Sequence, residues 1–163
     1  MRDHTRFIHR VHVGSPVDRA EFEFIGQVWD DLNPLWRVQN WSEETVFTDF
    51  PELQPLRAAL DDQPDRLEVL LGIALVVRWG GLFAGSHLEP TKGLPISMPA
   101  SPWMLDEHLF GSEQPGDEFW SDLLSECTRP YLHAITDTPL TTLFRRHSAG
   151  QLRHFPSIQS VIA

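Results

Sequence analysis

The segment over residues 66–79 constrains the fold more than any other part of the sequence, because it is apolar around nearly the whole helical circumference. Its apolar residues include Leu67, Leu70, Leu71, Ala74, Leu75 and Val77. A helix with this pattern has no broad face suited to water and is therefore expected to be buried. Gly80-Gly81 ends the predicted helix, and Leu82-Phe83-Ala84 predicts a short buried strand directly after it.

Strand and helix patterns alternate through the first half of the chain. Residues 6–13 predict a strand that ends at a Gly-Ser-Pro turn, and residues 36–41 alternate in polarity as a second strand does. Between them, Asp18 is placed to cap a helix with an apolar stripe, and Asn33-Pro34 stops that helix. The stripe consists of Phe22, Ile25, Val28, Trp29 and Leu32.

The second half of the chain carries weaker patterns. Residues 90–103 hold four prolines and predict irregular chain, with an edge strand over residues 94–98. A helix is predicted from Gly116, another over residues 139–147, and a last strand over residues 152–155. The alternation of strands and helices predicts one compact three-layer α/β domain over residues 1–163, with a mostly parallel central sheet.

The balance of acidic and basic residues limits the kinds of molecule that this chain is expected to bind. Thirteen Lys and Arg residues against 23 Asp and Glu residues give a formal net charge of −10. This excess of negative charge argues against nucleic acid and against an anionic membrane surface, since both require a basic footprint. The single cysteine, Cys127, cannot form an intramolecular disulfide, and no apolar run approaches the ~20 residues of a membrane span. With no signal-peptide pattern at the start, we expect a cytoplasmic protein.

Four segments stand in the order found in a known family. They read FIHRVHVG at residues 7–14, WDDLNPLW at 29–36 continuing to WSE at 41–43, LVVRWGGLFAGSHLEP at 75–90, and GSEQPGDEFW at 111–120. Together they resemble the glycosyltransferases that have a sugar-binding region with a D-x-D motif, related to the yeast-type initiating mannosyltransferase and to capsule-synthesis transferases. The resemblance implies a GT-A-type fold, a nucleotide-sugar donor and hexosyl transfer.

The departures from the family pattern fall on its polar residues. The two aspartates of D-x-D, which would hold a divalent cation on the donor diphosphate, correspond to Gly85 and His87. On the preceding helix, Val69 and Gly72 stand where the family has an aspartate and an arginine. The resemblance therefore implies a scaffold whose metal and diphosphate site is lost or altered, and Mn²⁺-dependent transfer of the usual kind is not expected.

The matched segments also supply the candidate site residues. Those implied to line the donor site are His9, Gly80, Gly81, Gly85 and Ser86, with Arg145 and Arg146 as basic groups that could neutralise a diphosphate without metal. His87 with Glu89 is the candidate metal pair, and His108 is the candidate general base. Each has a plainer interpretation: His87 and His108 as loop residues, and the arginine pair as charges favoured near a helix C-terminus. Among the six tryptophans, only Trp103 is expected to face a ligand, and the others are expected in the core.

Three functions remain open on the sequence. The first is a glycosyltransferase with an altered donor site, which would bind a nucleotide-sugar and a saccharide acceptor. The second is a catalytically inactive domain of the same fold that binds a ligand or a protein partner, with a partner chain or a second copy completing the site. The third is an acidic inhibitor or immunity protein that neutralises a basic enzyme. Nucleotide-sugar binding separates the first from the other two.

Overall fold

A computed structural model describes residues 6–14, 18–95, 98–99 and 102–133. Three of its five strands alternate with helices in the first half, and the other two form a hairpin in the second. The strands are β1 (Arg6–His12), β2 (Trp36–Ser42), β3 (Gly81–Ala84), β4 (Trp103–Asp106) and β5 (Leu109–Ser112). The helices are α1 (Arg19–Leu32), α2 (Glu43–Asp49), a 3-10 turn (Pro51–Leu53), α3 (Gln54–Ala59), α4 (Pro64–Trp79) and α5 (Glu118–His133).

The five strands form one open sheet of mixed direction, in the order β2-β1-β3-β5-β4. β1 runs parallel to both β2 and β3, with Ile8 opposite Val38 on one side and Leu82 on the other. β5 is antiparallel to β3 and to β4. The expected mostly parallel sheet is therefore corrected to a mixed one. The reason is local: only Glu107 and His108 join β4 to β5, and a two-residue connection allows only antiparallel pairing.

Helix α1 forms where the Asp18 cap and the apolar stripe of the sequence predict a helix. The Asp18 carboxylate accepts a hydrogen bond from the Glu21 N–H at 2.7 Å, which satisfies one of the free donors of the first turn. Phe22, Ile25 and Trp29 are buried. The helix ends at Asn33, as expected.

Helices cover both faces of the sheet, and β1, β3 and β5 are its most buried strands. Ile8 and Leu82 pack with Trp29 of α1 on one face. Val11 and Phe83 pack on the other face, in the cluster that contains the apolar residues of α4. Helix α4 is buried along residues 67–76, which confirms the expectation from its composition. Gly72 is required within it, because a Cβ there would overlap the Phe83 ring.

The region after β3 departs most from the sequence prediction. The β4–β5 hairpin was not predicted, and no strand is found at residues 94–95 or 98–99. The predicted helix over residues 139–147 and strand over residues 152–155 lie outside the described residues. Among the described helices, none combines the length and apolar character that a membrane crossing requires.

Candidate functional site

A crevice opens where the carboxyl end of β1 meets the helices on one face of the sheet. In the strand order, β1 lies between β2 and β3, and ligands of open α/β sheets bind outside the carboxyl ends of the strands at such a switch point. The crevice measures about 230 Å³ and begins at Val13 and Gly14, directly after β1. Its remaining walls are Glu43, Arg57, Leu60, Asp61, Pro64 and Leu67.

The charges around this crevice do not favour a polyphosphate. The Arg57 Nε lies 3.1 Å from the Glu43 carboxylate, so the one basic side chain on the walls is already paired. Asp61 is a second carboxylate on the walls, and no further basic side chain on these walls balances its charge. A diphosphate would therefore meet no surplus positive charge in this part of the structure.

The loop directly after β3 is held by groups of the protein itself. The Gly85 N–H donates to the His108 carbonyl at 2.7 Å. The Ser86 N–H donates to the Glu68 carboxylate at 3.4 Å, and the Ser86 carbonyl accepts from Arg10 Nη2 at 3.1 Å. Gly85 and Ser86 therefore lie at the carboxyl edge of the sheet, and both Ser86 backbone groups are engaged inside the protein.

Arg10 ties this loop to two other elements. Its guanidinium is fully buried, and Nη1 donates to the Phe22 carbonyl at 2.7 Å and to the Asn40 side-chain oxygen at 2.8 Å. Gly26 leaves the necessary space, since a Cβ there would collide with Nη1. Burial lowers the pKa of Arg10 to about 10, and the nearby Glu68 carboxylate opposes that change. The group thus remains a cation at neutral pH, with its Nη atoms bonded to the protein.

Glu68 is the carboxyl group at the centre of this network. It lies in the buried stretch of α4, residues 67–76, where it is the only charged residue, and it is only 5% exposed. Burial raises the pKa of Glu68 to about 7, although hydrogen bonds from the Ser86 hydroxyl and backbone and the charge of Arg10 favour the ionised form. Near neutral pH the group is therefore divided between its protonated and ionised forms.

Sequence reasoning did not select Arg10 or Glu68 as site residues. A usable signal was present in each case: Arg10 stands inside the strand predicted over residues 6–13, and Glu68 stands inside the predicted helix that is apolar on nearly all sides. Buried charged groups are rare unless they are paired or hydrogen-bonded, so each such position predicts a partner.

The two histidines selected from the sequence come together. The His87 and His108 rings lie 4.6 Å apart between centroids in an edge-to-face arrangement. Desolvation, followed by the proximity of His108, lowers the pKa of His87. In the β4–β5 turn, the His108 N–H donates to the Asp106 carboxylate at 2.7 Å, while its Nδ1 is buried with no partner in the described part of the chain.

Glu89, the other half of the candidate metal pair, is exposed. Nowhere in the described ranges do three or more His, Cys, Asp or Glu side chains converge as they would around a metal ion. The contact between His87 and His108 is thus the feature that the structure adds to the sequence hypothesis.

The other predicted donor-site residues lie away from this loop. His9 is fully buried in β1, where its Nδ1 accepts from Trp41 Nε1 at 3.3 Å and its Nε2 donates to the Gly80 carbonyl at 2.9 Å. Burial lowers the pKa of His9 to about 4, so the ring is neutral at neutral pH. Gly80 and Gly81 lie at the amino end of β3, opposite Gly85. The structure therefore places the predicted donor-site residues at two different edges of the sheet. The other two predicted residues, Arg145 and Arg146, lie outside the described residues.

Comparison with known proteins supports the fold. No protein-family model matches the sequence, and no curated protein matches it. Among solved structures, the chain is similar to PaToxG Glycosyltransferase, with a TM-score of 0.65 at 10% sequence identity. The similarity covers 90% of this chain and 69% of that one. The chain therefore has a glycosyltransferase-like fold.

Proposed function

We propose that this chain is a catalytically inactive protein of glycosyltransferase-like fold whose role is to bind a ligand. The observation that carries the proposal is the position of Ser86 in the loop after β3. Its N–H faces Glu68 and its carbonyl accepts a hydrogen bond from Arg10. A loop fixed in this way directs its backbone groups into the protein and away from a donor diphosphate.

The residues around the loop supply the physical reason. Metal-dependent transfer requires anionic oxygen ligands, because the divalent cation they hold neutralises charge on the leaving nucleotide. The positions that resemble D-x-D carry Gly85 and His87 instead. The buried carboxyl nearest the loop, Glu68, has a pKa raised to about 7 and is hydrogen-bonded to Ser86, so it is a poor substitute ligand.

A second candidate is hexosyl transfer from a nucleotide-sugar without a metal. The position of the crevice at the carboxyl end of β1 favours it, since this is the usual ligand position of such sheets, whereas its one basic side chain, Arg57, is paired with Glu43. In this mechanism the Arg57 guanidinium would leave Glu43 and form charge-assisted hydrogen bonds with the diphosphate. Arg145 and Arg146 remain sequence candidates for the same task.

Binding of donors separates the two candidates. The protein is titrated with UDP-, GDP- and CMP-sugars, with and without Mn²⁺, and followed by thermal shift and calorimetry. The inactive-domain proposal predicts no binding of these nucleotide-sugar donors, whereas a ligand at ~100 times its dissociation constant would stabilise the fold by about 2.7 kcal/mol. A shift that needs no metal and is lost in Arg57→Ala would favour the second candidate. A shift that needs Mn²⁺ would overturn the inactive-domain proposal.

The assignment of Gly85 and His87 to the metal positions can be tested by restoring the carboxylates. Because a Cβ at Gly85 would lie 3.0 Å from the His108 Cβ, the variant is Gly85→Asp, His87→Asp and His108→Gly together. We expect it to gain Mn²⁺ binding in calorimetry. The matched control, Gly85→Asn, His87→Asn and His108→Gly, has the same shape without the charge and should bind none. Equal behaviour of the two variants would show that the loop does not have the geometry of a metal site.

A further inference from the structure

A larger cavity lies at the opposite edge of the sheet, at the amino ends of β1, β2 and β3. Its volume is about 320 Å³, compared with about 230 Å³ for the crevice at the carboxyl edge. β1 contributes Arg6, β2 contributes Trp36, and α4 contributes Trp79 at its C-terminal end. This volume falls within the range of small-molecule sites, about 300–1,000 Å³.

Three tryptophans form the walls of this cavity. Trp103 lines the cavity from the protein interior and is 3% exposed, whereas Trp79 is 41% exposed. Trp36 is partly buried and lies beneath the Arg6 guanidinium, 5.7 Å from the ring centroid. Trp103 was expected to face a ligand, and it does line a cavity. The expectation that Trp36 and Trp79 belong wholly to the core is corrected.

Polar side chains surround the aromatic walls. Glu113 and Gln114 line the cavity and are exposed, and among the described residues neither side chain forms a hydrogen bond or an ion pair. The Glu113 carboxylate supplies acceptors, and the Gln114 amide supplies both donors and an acceptor. One positive and one negative side chain leave the cavity lining without net charge.

We propose that this aromatic cavity binds an uncharged saccharide. A sugar ring has apolar C–H faces and hydroxyl groups around its edge, so it matches flat aromatic walls bordered by mixed donors and acceptors. An anionic ligand would meet Glu113 and the field of a chain with net charge −10. A lipid chain would leave the Glu113 and Gln114 groups unsatisfied if it covered them.

The proposed saccharide site is separate from the crevice at the carboxyl edge of the sheet. β1 has seven residues and joins the two edges, so at about 3.3 Å per residue they are roughly 20 Å apart. The two sites can therefore be tested separately: saccharide binding in this cavity does not depend on nucleotide-sugar binding in the carboxyl-edge crevice.

The test uses the whole chain and a panel of neutral sugars. Glucose, galactose, mannose, N-acetylglucosamine and their β-1,4-linked disaccharides are titrated, and binding is followed by tryptophan fluorescence and calorimetry in the presence of EDTA. We expect saturable binding of at least one member. Trp79→Ala, a substitution at a partly exposed position, should weaken it about tenfold or more, equal to about 1.4 kcal/mol.

Two controls keep the result specific to the cavity. Phe24→Ala removes an aromatic side chain that is 61% exposed on α1 and should leave saccharide affinity unchanged. Glu113→Gln should also weaken binding, without changing thermal stability. The proposal is overturned if no sugar binds, or if Trp79→Ala and Phe24→Ala change saccharide affinity equally. It is also overturned if the cavity binds an apolar dye or an anionic sugar and no neutral sugar. Loss of nucleotide-sugar binding in Arg57→Ala would concern the other edge alone.

Discussion

Replacing Glu68 with glutamine tests the buried polar network directly. Burial raises the pKa of this carboxyl from 4.5 to about 7 in the folded protein. Between these two values the unfolded chain loses the proton while the folded chain keeps it, so the Glu68 contribution to stability decreases as pH rises. Each pH unit corresponds to 1.36 kcal/mol, and the whole interval therefore corresponds to about 3 kcal/mol.

Glu68→Gln places a neutral side chain of similar shape at the site and removes this titration. Its free energy of unfolding should be close to that of the native sequence below pH 4.5. It should exceed that of the native sequence by up to about 3 kcal/mol above pH 7. Urea unfolding at a series of pH values, followed by tryptophan fluorescence, gives both curves. The difference between them isolates Glu68 from the other groups that titrate in this range.

The matched control is Glu44→Gln, which neutralises an exposed carboxylate on α2. Its difference curve should show no comparable rise. If Glu68→Gln instead destabilises the protein above pH 7, the glutamate is ionised and held by Arg10 as a charge pair. In that case the description of Glu68 as a largely desolvated acid would be incorrect.

Three further outcomes are expected. Gly72→Ala should destabilise the fold by about 1–3 kcal/mol in urea, because its Cβ overlaps the Phe83 ring. The same change should cost less when Phe83→Ala, which removes the overlapping ring atoms, is also present. Asp18→Ala should lower stability by about 1 kcal/mol through loss of the α1 cap, whereas Asp31→Ala in the last turn of that helix should not; both are read by urea unfolding. Burial raises the pKa of the Cys127 thiol to about 12, so a chromogenic disulfide reagent should label it only after denaturant is added.

The elements that the sequence predicts well have strong local patterns. Helix α1 has both a capping aspartate and an apolar stripe, and α4 has the all-round apolar composition of a buried helix. The β4–β5 hairpin was missed because each strand has only four residues and the first follows a proline-rich stretch. Its direction follows from the short turn, which the alternation of earlier strands and helices does not predict.

The candidate site was only partly predictable for a different reason. The sequence predicts a strand over residues 82–84, and Gly85 and Ser86 directly follow the strand that the structure has there. Sequence spacing cannot show that Arg10 reaches across from β1 to the Ser86 carbonyl, since that contact joins residues 76 positions apart. Nor can it show that the cavity walls combine tryptophans from three different elements.

The fixed imidazole of His9 has a consequence for how the protein responds to acid. Its pKa falls from 6.5 to about 4 on folding, so the stability it contributes is complete above pH 6.5 and decreases as the solution is acidified. Glu68 changes in the opposite sense, becoming more favourable as pH falls from about 7 to 4.5. Across the overlap, from pH 6.5 to 4.5, unfolding makes one interior group take up a proton while the other releases one. Over this interval the contributions of His9 and Glu68 therefore oppose each other, and their sum changes less with pH than either one alone.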